Sequence, residues 1–129
     1  MKRLLTSLGL AAIAAIAIAC SSGGSAGQPS GSPAPADPNA PVIVAQNNAF
    51  NPSTLTVEAD KAFSLTLDNK DAAPHNVAIF KDASAAESIS VGEIVSSTTV
   101  TQQVPALAAG EYFFRCDVHK EMTGTIVAE

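Results

Sequence analysis

Two observations predict that residues 41–129 fold as an all-β domain, an antiparallel Greek-key sandwich or barrel of about seven or eight short strands. Apolar residues alternate with polar ones through most of the segment, and turn residues interrupt the alternation at short intervals. The segment is long enough for one small domain and too short for two.

The elements follow in order. Val42-Ile43-Val44 is a short β-branched run, closed by turn residues at Asn51-Pro52. Thr54-Leu55-Thr56-Val57 alternates and stops at the polar cluster Glu58 to Lys61. Phe63, Leu65 and Leu67 then share one face while Ser64, Thr66 and Asp68 take the other. After the turn Asn69 to Pro74, Val77 and Ile79 resume the alternation. Glu93 to Val95, Thr98 to Val104, Glu111 to Cys116 and Gly124 to Ala128 complete the set, with Pro105 and Gly110 as breaks. Lys81 to Gly92 fits two readings, since its alanines suit a helical turn and its serines a loop. No internal repeat is present.

The chemistry gathers near the C-terminus. Cys116, His119 and Met122 stand in the order Cys-x-x-His-x-x-Met, and His75 lies upstream in Pro-His-Asn-Val. A thiolate, two imidazoles and a weak axial thioether are the donors of a type 1 copper centre, which takes both Cu(I) and Cu(II) and passes single electrons. The spacing lets Cys116 end one strand, His119 sit in a tight loop and Met122 begin the return strand, while His75 comes from a neighbouring strand. Tyr112, Phe114 and Cys116 share a face, so the sulfur continues a row of core aromatics. Asn76, pointing opposite to His75, is placed to tie the histidine strand to the cysteine loop by a side-chain hydrogen bond.

The N-terminal segment sets the compartment. Residues 1–19 have the form of a secretory signal: Lys2 and Arg3 lead an apolar stretch, Leu4 to Ala19, shorter than the roughly 20 residues of a membrane span. Ala17-Ile18-Ala19-Cys20 resembles a bacterial lipoprotein box, with Ala17 in place of the usual leucine, and makes Cys20 the expected lipidation site. Residues 20–40 are a Ser, Gly, Ala and Pro linker whose only charge is Asp37. Twenty residues of that kind give the domain a range on the order of 20 to 30 Å from its anchor. The expected location is therefore the periplasmic or extracellular face of a cell membrane, lipid-anchored through Cys20.

Only two cysteines, two histidines and two methionines occur. With Cys20 assigned to a lipid and Cys116 to a metal, no pair is left for a disulfide; a Cys20 to Cys116 bridge would tie a flexible tail to a buried hairpin. Losing Lys2 and Arg3 with the signal leaves 5 basic against 12 acidic side chains, a charge of −7, which excludes nucleic acid as a partner. The acidic residues Asp60, Asp68, Asp71, Asp82, Glu87, Glu93 and Glu111 fit a solvated surface.

Pro74-His75-Asn76-Val77, Gly110-Glu111-Tyr112-Phe113-Phe114-Arg115-Cys116, His119, Met122 and Gly124 together resemble the cupredoxins, and the likeness extends to Asn48-Ala49-Phe50-Asn51-Pro52. The strand into the cysteine is similar to that of plastocyanin and the length of the metal loop to that of amicyanin, although Lys120 stands where a proline is common. The resemblance implies one copper ion, held strongly by His75, Cys116 and His119 and weakly by Met122. It also implies an electron port at the exposed ring edge of His119, where redox proteins would dock on a monomer.

Glu121 is a second conceivable axial donor, and a copper carrier or storage lipoprotein could use the same donors without electron transfer. Handing over metal favours exposed ligands, whereas Cys116 lies on an apolar strand. An enzyme is not expected, because the type 1 site uses both histidines and leaves none for a second metal site. A structural zinc site would add Cys or His in place of Met122.

Overall fold

The computed structural model describes residues 39–129. The signal segment 1–19, the lipidation site at Cys20 and the linker as far as residue 38 lie outside the described residues.

The described residues contain nine strands and no helix: β1 (Val42–Gln46), β2 (Ala49–Asn51), β3 (Thr54–Val57), β4 (Phe63–Asn69), β5 (Ala78–Phe80), β6 (Ser88–Val91), β7 (Thr99–Val104), β8 (Gly110–Arg115) and β9 (Thr123–Ala128). They form a four-stranded sheet in the order β2-β1-β4-β7 and a five-stranded sheet in the order β3-β9-β8-β5-β6. The expected all-β sandwich is thus present, with refinements in strand number and direction. The β1–β4 and β3–β9 pairs run parallel, and the other pairs are antiparallel. Alternation reports which face a side chain occupies and carries no information on the direction of the neighbouring strand. Here the chain crosses between sheets after β2, β3, β4, β6 and β7, so many neighbours in the sheets are not neighbours in sequence.

The additional strand arises at a tight hairpin. Asn47 and Asn48 have φ of 56° and 55°, the left-handed pair that a two-residue hairpin loop requires and that asparagine tolerates. Gln46 accordingly faces Ala49 across the turn. The ambiguous segment 81–92 contains β6, preceded by a single hydrogen-bonded turn in which Ala85 N donates to Asp82 O at 3.1 Å, and no helix. Glu93 to Val95 does not form a strand; Val95 makes one isolated bridge, to His75.

Between the sheets lies a core to which Ile43, Ala45, Leu65 and Leu67 contribute from one side and Leu55, Ile79, Phe114 and Ile126 from the other. Phe114 is fully buried and meets Phe50 in a tilted arrangement, with ring planes 54° apart and centroids 5.5 Å apart. Its removal from water is worth about 1.5–3 kcal/mol. Two registers then determine where the candidate ligands fall. Because Ala78 pairs with Arg115 in antiparallel β5 and β8, the residues before β5 run alongside those after β8. Because Arg115 pairs with Thr123 in β8 and β9, Met122 is brought back beside Cys116.

Candidate metal centre

His75, Cys116 and His119, separate in sequence, converge at this end of the sandwich. Their donor atoms all lie within 4.8 Å of one another. His75 Nδ1 is 3.8 Å from Cys116 Sγ and 3.1 Å from His119 Nδ1. A first-row metal with nitrogen donors at about 2.0–2.1 Å and sulfur at about 2.3 Å holds its ligands roughly 3–4 Å apart, so the three atoms fit one ion. His75 and Cys116 are fully buried, whereas His119 is half-buried and retains access to solvent.

The fourth expected residue, Met122, lies in the core next to this group. Met122 is 2% exposed and packs in the core that includes Cys116. Glu121, the other conceivable axial donor, is exposed, and among the described residues no carboxylate belongs to the converging group. Cys116 N donates to Met122 O at 3.0 Å, and Met122 N donates to His119 O at 2.9 Å. These two bonds close the Cys116–Met122 loop on itself, with Lys120 exposed.

His75 does not lie in a strand as expected: it forms an isolated bridge with Val95 ahead of β5, and polar contacts attach the cysteine loop to this segment. Asn76 Nδ2 donates to Asp117 Oδ2 at 3.0 Å and to Gly92 O at 3.2 Å, while Asp117 N donates to Asn76 Oδ1 at 2.9 Å. His75 itself exchanges two backbone hydrogen bonds with Val95, at 3.0 and 2.9 Å. Arg115 points away from the core and lies over the Phe80 ring at 4.8 Å, with its Nε 3.9 Å from Asp117 Oδ1.

Asp71 departs from the expected solvated surface. Its Oδ2 lies 3.2 Å from His75 Nε2, and its two oxygens accept the backbone N–H groups of Asn47 and Asn48 at 3.0 Å each. The N–H groups of Asn48 and Asn47, followed by the His75 ring, hold the Asp71 carboxyl below the usual carboxylate range. The turn around it is braced by Asn69, whose side chain donates to Ala73 O and Val95 O and accepts from Asp71 N. The available signal was an aspartate in the Asn69–Pro74 turn just before a ligand histidine. Four residues of turn carry no fixed geometry, so the contact itself could not be read from spacing.

The donor set fits a metal that alternates between oxidation states. Soft sulfur suits Cu(I), imidazole suits Cu(II), and a buried, pre-assembled set of this kind limits rearrangement between them. No structural zinc pattern of four Cys and His donors is present among the described residues.

Comparison with known proteins places the fold. The chain is similar to auracyanin A, a blue copper protein of the green thermophilic photosynthetic bacterium Chloroflexus aurantiacus, at 21% identity and a TM-score of 0.62 over 68% of this chain and 96% of that one. Dithionite-reduced auracyanin from Roseiflexus castenholzii matches at 20% identity and a TM-score of 0.60, covering 68% of this chain and 94% of that one. Amicyanin from Paracoccus versutus matches at 22% identity and a TM-score of 0.57, covering 72% and 84%. No protein of curated function matches the chain by sequence. The model of the cupredoxin-like domain family matches residues 9–128, nearly the whole sequence, and the chain belongs to that family.

Proposed function

We propose that the protein binds one copper ion through His75, Cys116, His119 and Met122 and acts as a one-electron carrier between redox proteins. The observation that supports this most is the convergence of two imidazole nitrogens and a buried cysteine sulfur within 4.8 Å, beside a buried methionine. Bound copper would supply a centre that is oxidised and reduced by one electron without making or breaking covalent bonds. The residues do the rest. Phe114 and the surrounding core exclude water from Cys116, Asn76 holds the cysteine loop in register, and half-buried His119 offers a short path to the surface.

Docking would occur around His119, where exposed Val118, Ala72 and Pro74 and half-buried Ala73 supply a small apolar surface. A transient contact of this sort is small and fast, and the acidic surface would govern its on-rate more than its lifetime. The lipoprotein-like Cys20 and the linker extend the proposal: a monomer tethered at the outer face of a membrane, moving between donor and acceptor. A copper store remains the competing function, and the full burial of Cys116 disfavours it.

Electron self-exchange, read from NMR line broadening in mixtures of oxidised and reduced copper protein, tests the carrier role. Exchange is expected to be measurable in the wild type and at least about tenfold slower in Val118→Asp, whose charge repels a second copy, with the copper spectrum intact. A copper protein that shows no exchange would leave storage as the better reading. For the tether, Cys20→Ala is expected to release the protein from membranes without altering the metal spectrum, and a variant still membrane-bound would contradict the anchor.

A further inference from the structure

We propose that Asp71 is the positioning residue of the centre: its carboxylate holds the Nε2–H of His75, fixing the ring's tautomer and aim, and its charge favours the oxidised metal. The inference rests on the copper-binding reading above for its redox part, and on the metal-free protein alone for its tautomer part.

The two nitrogens of His75 have different surroundings. Nδ1 faces Cys116 Sγ at 3.8 Å and His119 Nδ1 at 3.1 Å, the position of a donor to the metal. Nε2 faces Asp71 Oδ2 at 3.2 Å. An imidazole that donates a proton to a carboxylate at Nε2 leaves Nδ1 with a free lone pair, the form a metal requires. The ring is fully buried, so no bulk water competes for that proton.

The carboxylate is itself held in place. Its Oδ1 accepts Asn47 N and its Oδ2 accepts Asn48 N, both at 3.0 Å. Two consecutive left-handed asparagines turn their N–H groups toward the same side chain, so the β1–β2 hairpin forms a cradle with acceptors required at both oxygens. Asp71 O accepts Ser97 N at 2.9 Å and Ser97 Oγ at 3.1 Å, and Asp71 N donates to Asn69 Oδ1 at 2.8 Å, which fixes the backbone as well. A surface aspartate needs none of these contacts.

The experiment has two arms. In the first, nitrogen-15 NMR of the metal-free wild-type protein reads the His75 tautomer directly. A single Nε2–H form is expected, and an Nδ1–H form overturns the proposal. In Asp71→Ala the ring is expected to populate both tautomers; retention of the single Nε2–H form shows that other groups set it and overturns the proposal.

In the second arm, the copper-loaded protein is studied as Asp71→Asn, which keeps an oxygen for His75 Nε2–H and removes the charge, with Asp68→Asn as a control carboxylate whose partners are Lys70 and Thr99. Asp71→Asn is expected to weaken the preference for Cu(II) about tenfold, an upward shift of about 59 mV for one electron, with the blue band retained. An unchanged potential, or an equal shift in Asp68→Asn, overturns the charge role. A wild type that takes up no copper would contradict the copper reading instead, and leaves the first arm to decide on Asp71.

Discussion

Asn76 and Asp117 hold each other twice across the gap between the segment that carries His75 and the cysteine loop: Asn76 Nδ2 donates to Asp117 Oδ2 at 3.0 Å, and Asp117 N donates back to Asn76 Oδ1 at 2.9 Å. The two residues are the immediate neighbours of His75 and Cys116. Relative motion of the two ligands therefore requires breaking this pair. Asn76→Ala leaves Asp117 N and Gly92 O without the partner and is expected to cost about 1–3 kcal/mol. Urea denaturation of the metal-free protein measures it, and a loss well under 1 kcal/mol would mean that the pair is not what ties the strands.

Gly124 begins the return from Met122 and lies opposite Phe114. A Cβ at this position would run into the Phe114 ring and come within 2.5 Å of Ser53 O. The carbonyl is backbone and the ring is fully buried, so neither yields easily. Gly124→Ala is expected to destabilise the fold by about 1–3 kcal/mol and to broaden the copper spectrum by shifting Met122. Thermal unfolding and the visible spectrum check the two effects.

Met122 is buried beside Cys116 while Glu121 is exposed. Met122→Leu is expected to keep the blue site and raise its potential, on the order of 60 mV for a tenfold loss of Cu(II) preference, because a thioether donor favours Cu(II) over Cu(I). Voltammetry decides, and an unchanged potential would remove Met122 from the axial role.

Three carboxylates are held below the ordinary aspartate range: Asp68 through its hydrogen bond from Lys70, Asp71 through the Asn48 and Asn47 N–H groups, and Asp82 through Ser84. Their stabilising effect is complete above the unfolded value of about 4 and is lost as pH falls from there through the lower folded values. Denaturation of the metal-free protein between pH 6 and about 2 is expected to show constant stability at the upper end and a decline confined to the acid range. A decline beginning near neutral pH would point to other groups.

The face of each core residue was legible in the sequence wherever alternation was clean, as in Phe63 to Asp68 and in the Tyr112, Phe114, Cys116 row. Strand direction was not, because Val42–Val44 reads the same whether its partner Thr66–Asp68 runs with it or against it. The short β2 and β6 strands were also hidden: three or four residues give too little alternation to distinguish strand from loop. The converging group His75, Cys116 and His119 was readable because chemically distinctive residues are scarce in the chain. Asp71 was not, since one aspartate among twelve acidic residues has no distinctive spacing, and only the folded hairpin aims the Asn47 and Asn48 amides at it.

Addition of Cu(II) to the metal-free protein tests most directly whether His75, Cys116, His119 and Met122 form a type 1 copper centre. An intense blue thiolate-to-copper charge-transfer band and narrow copper hyperfine splitting in the EPR spectrum are expected, with loss of the colour in Cys116→Ser. Stoichiometric Cu(II) uptake with neither the band nor the narrow splitting would contradict the type 1 assignment.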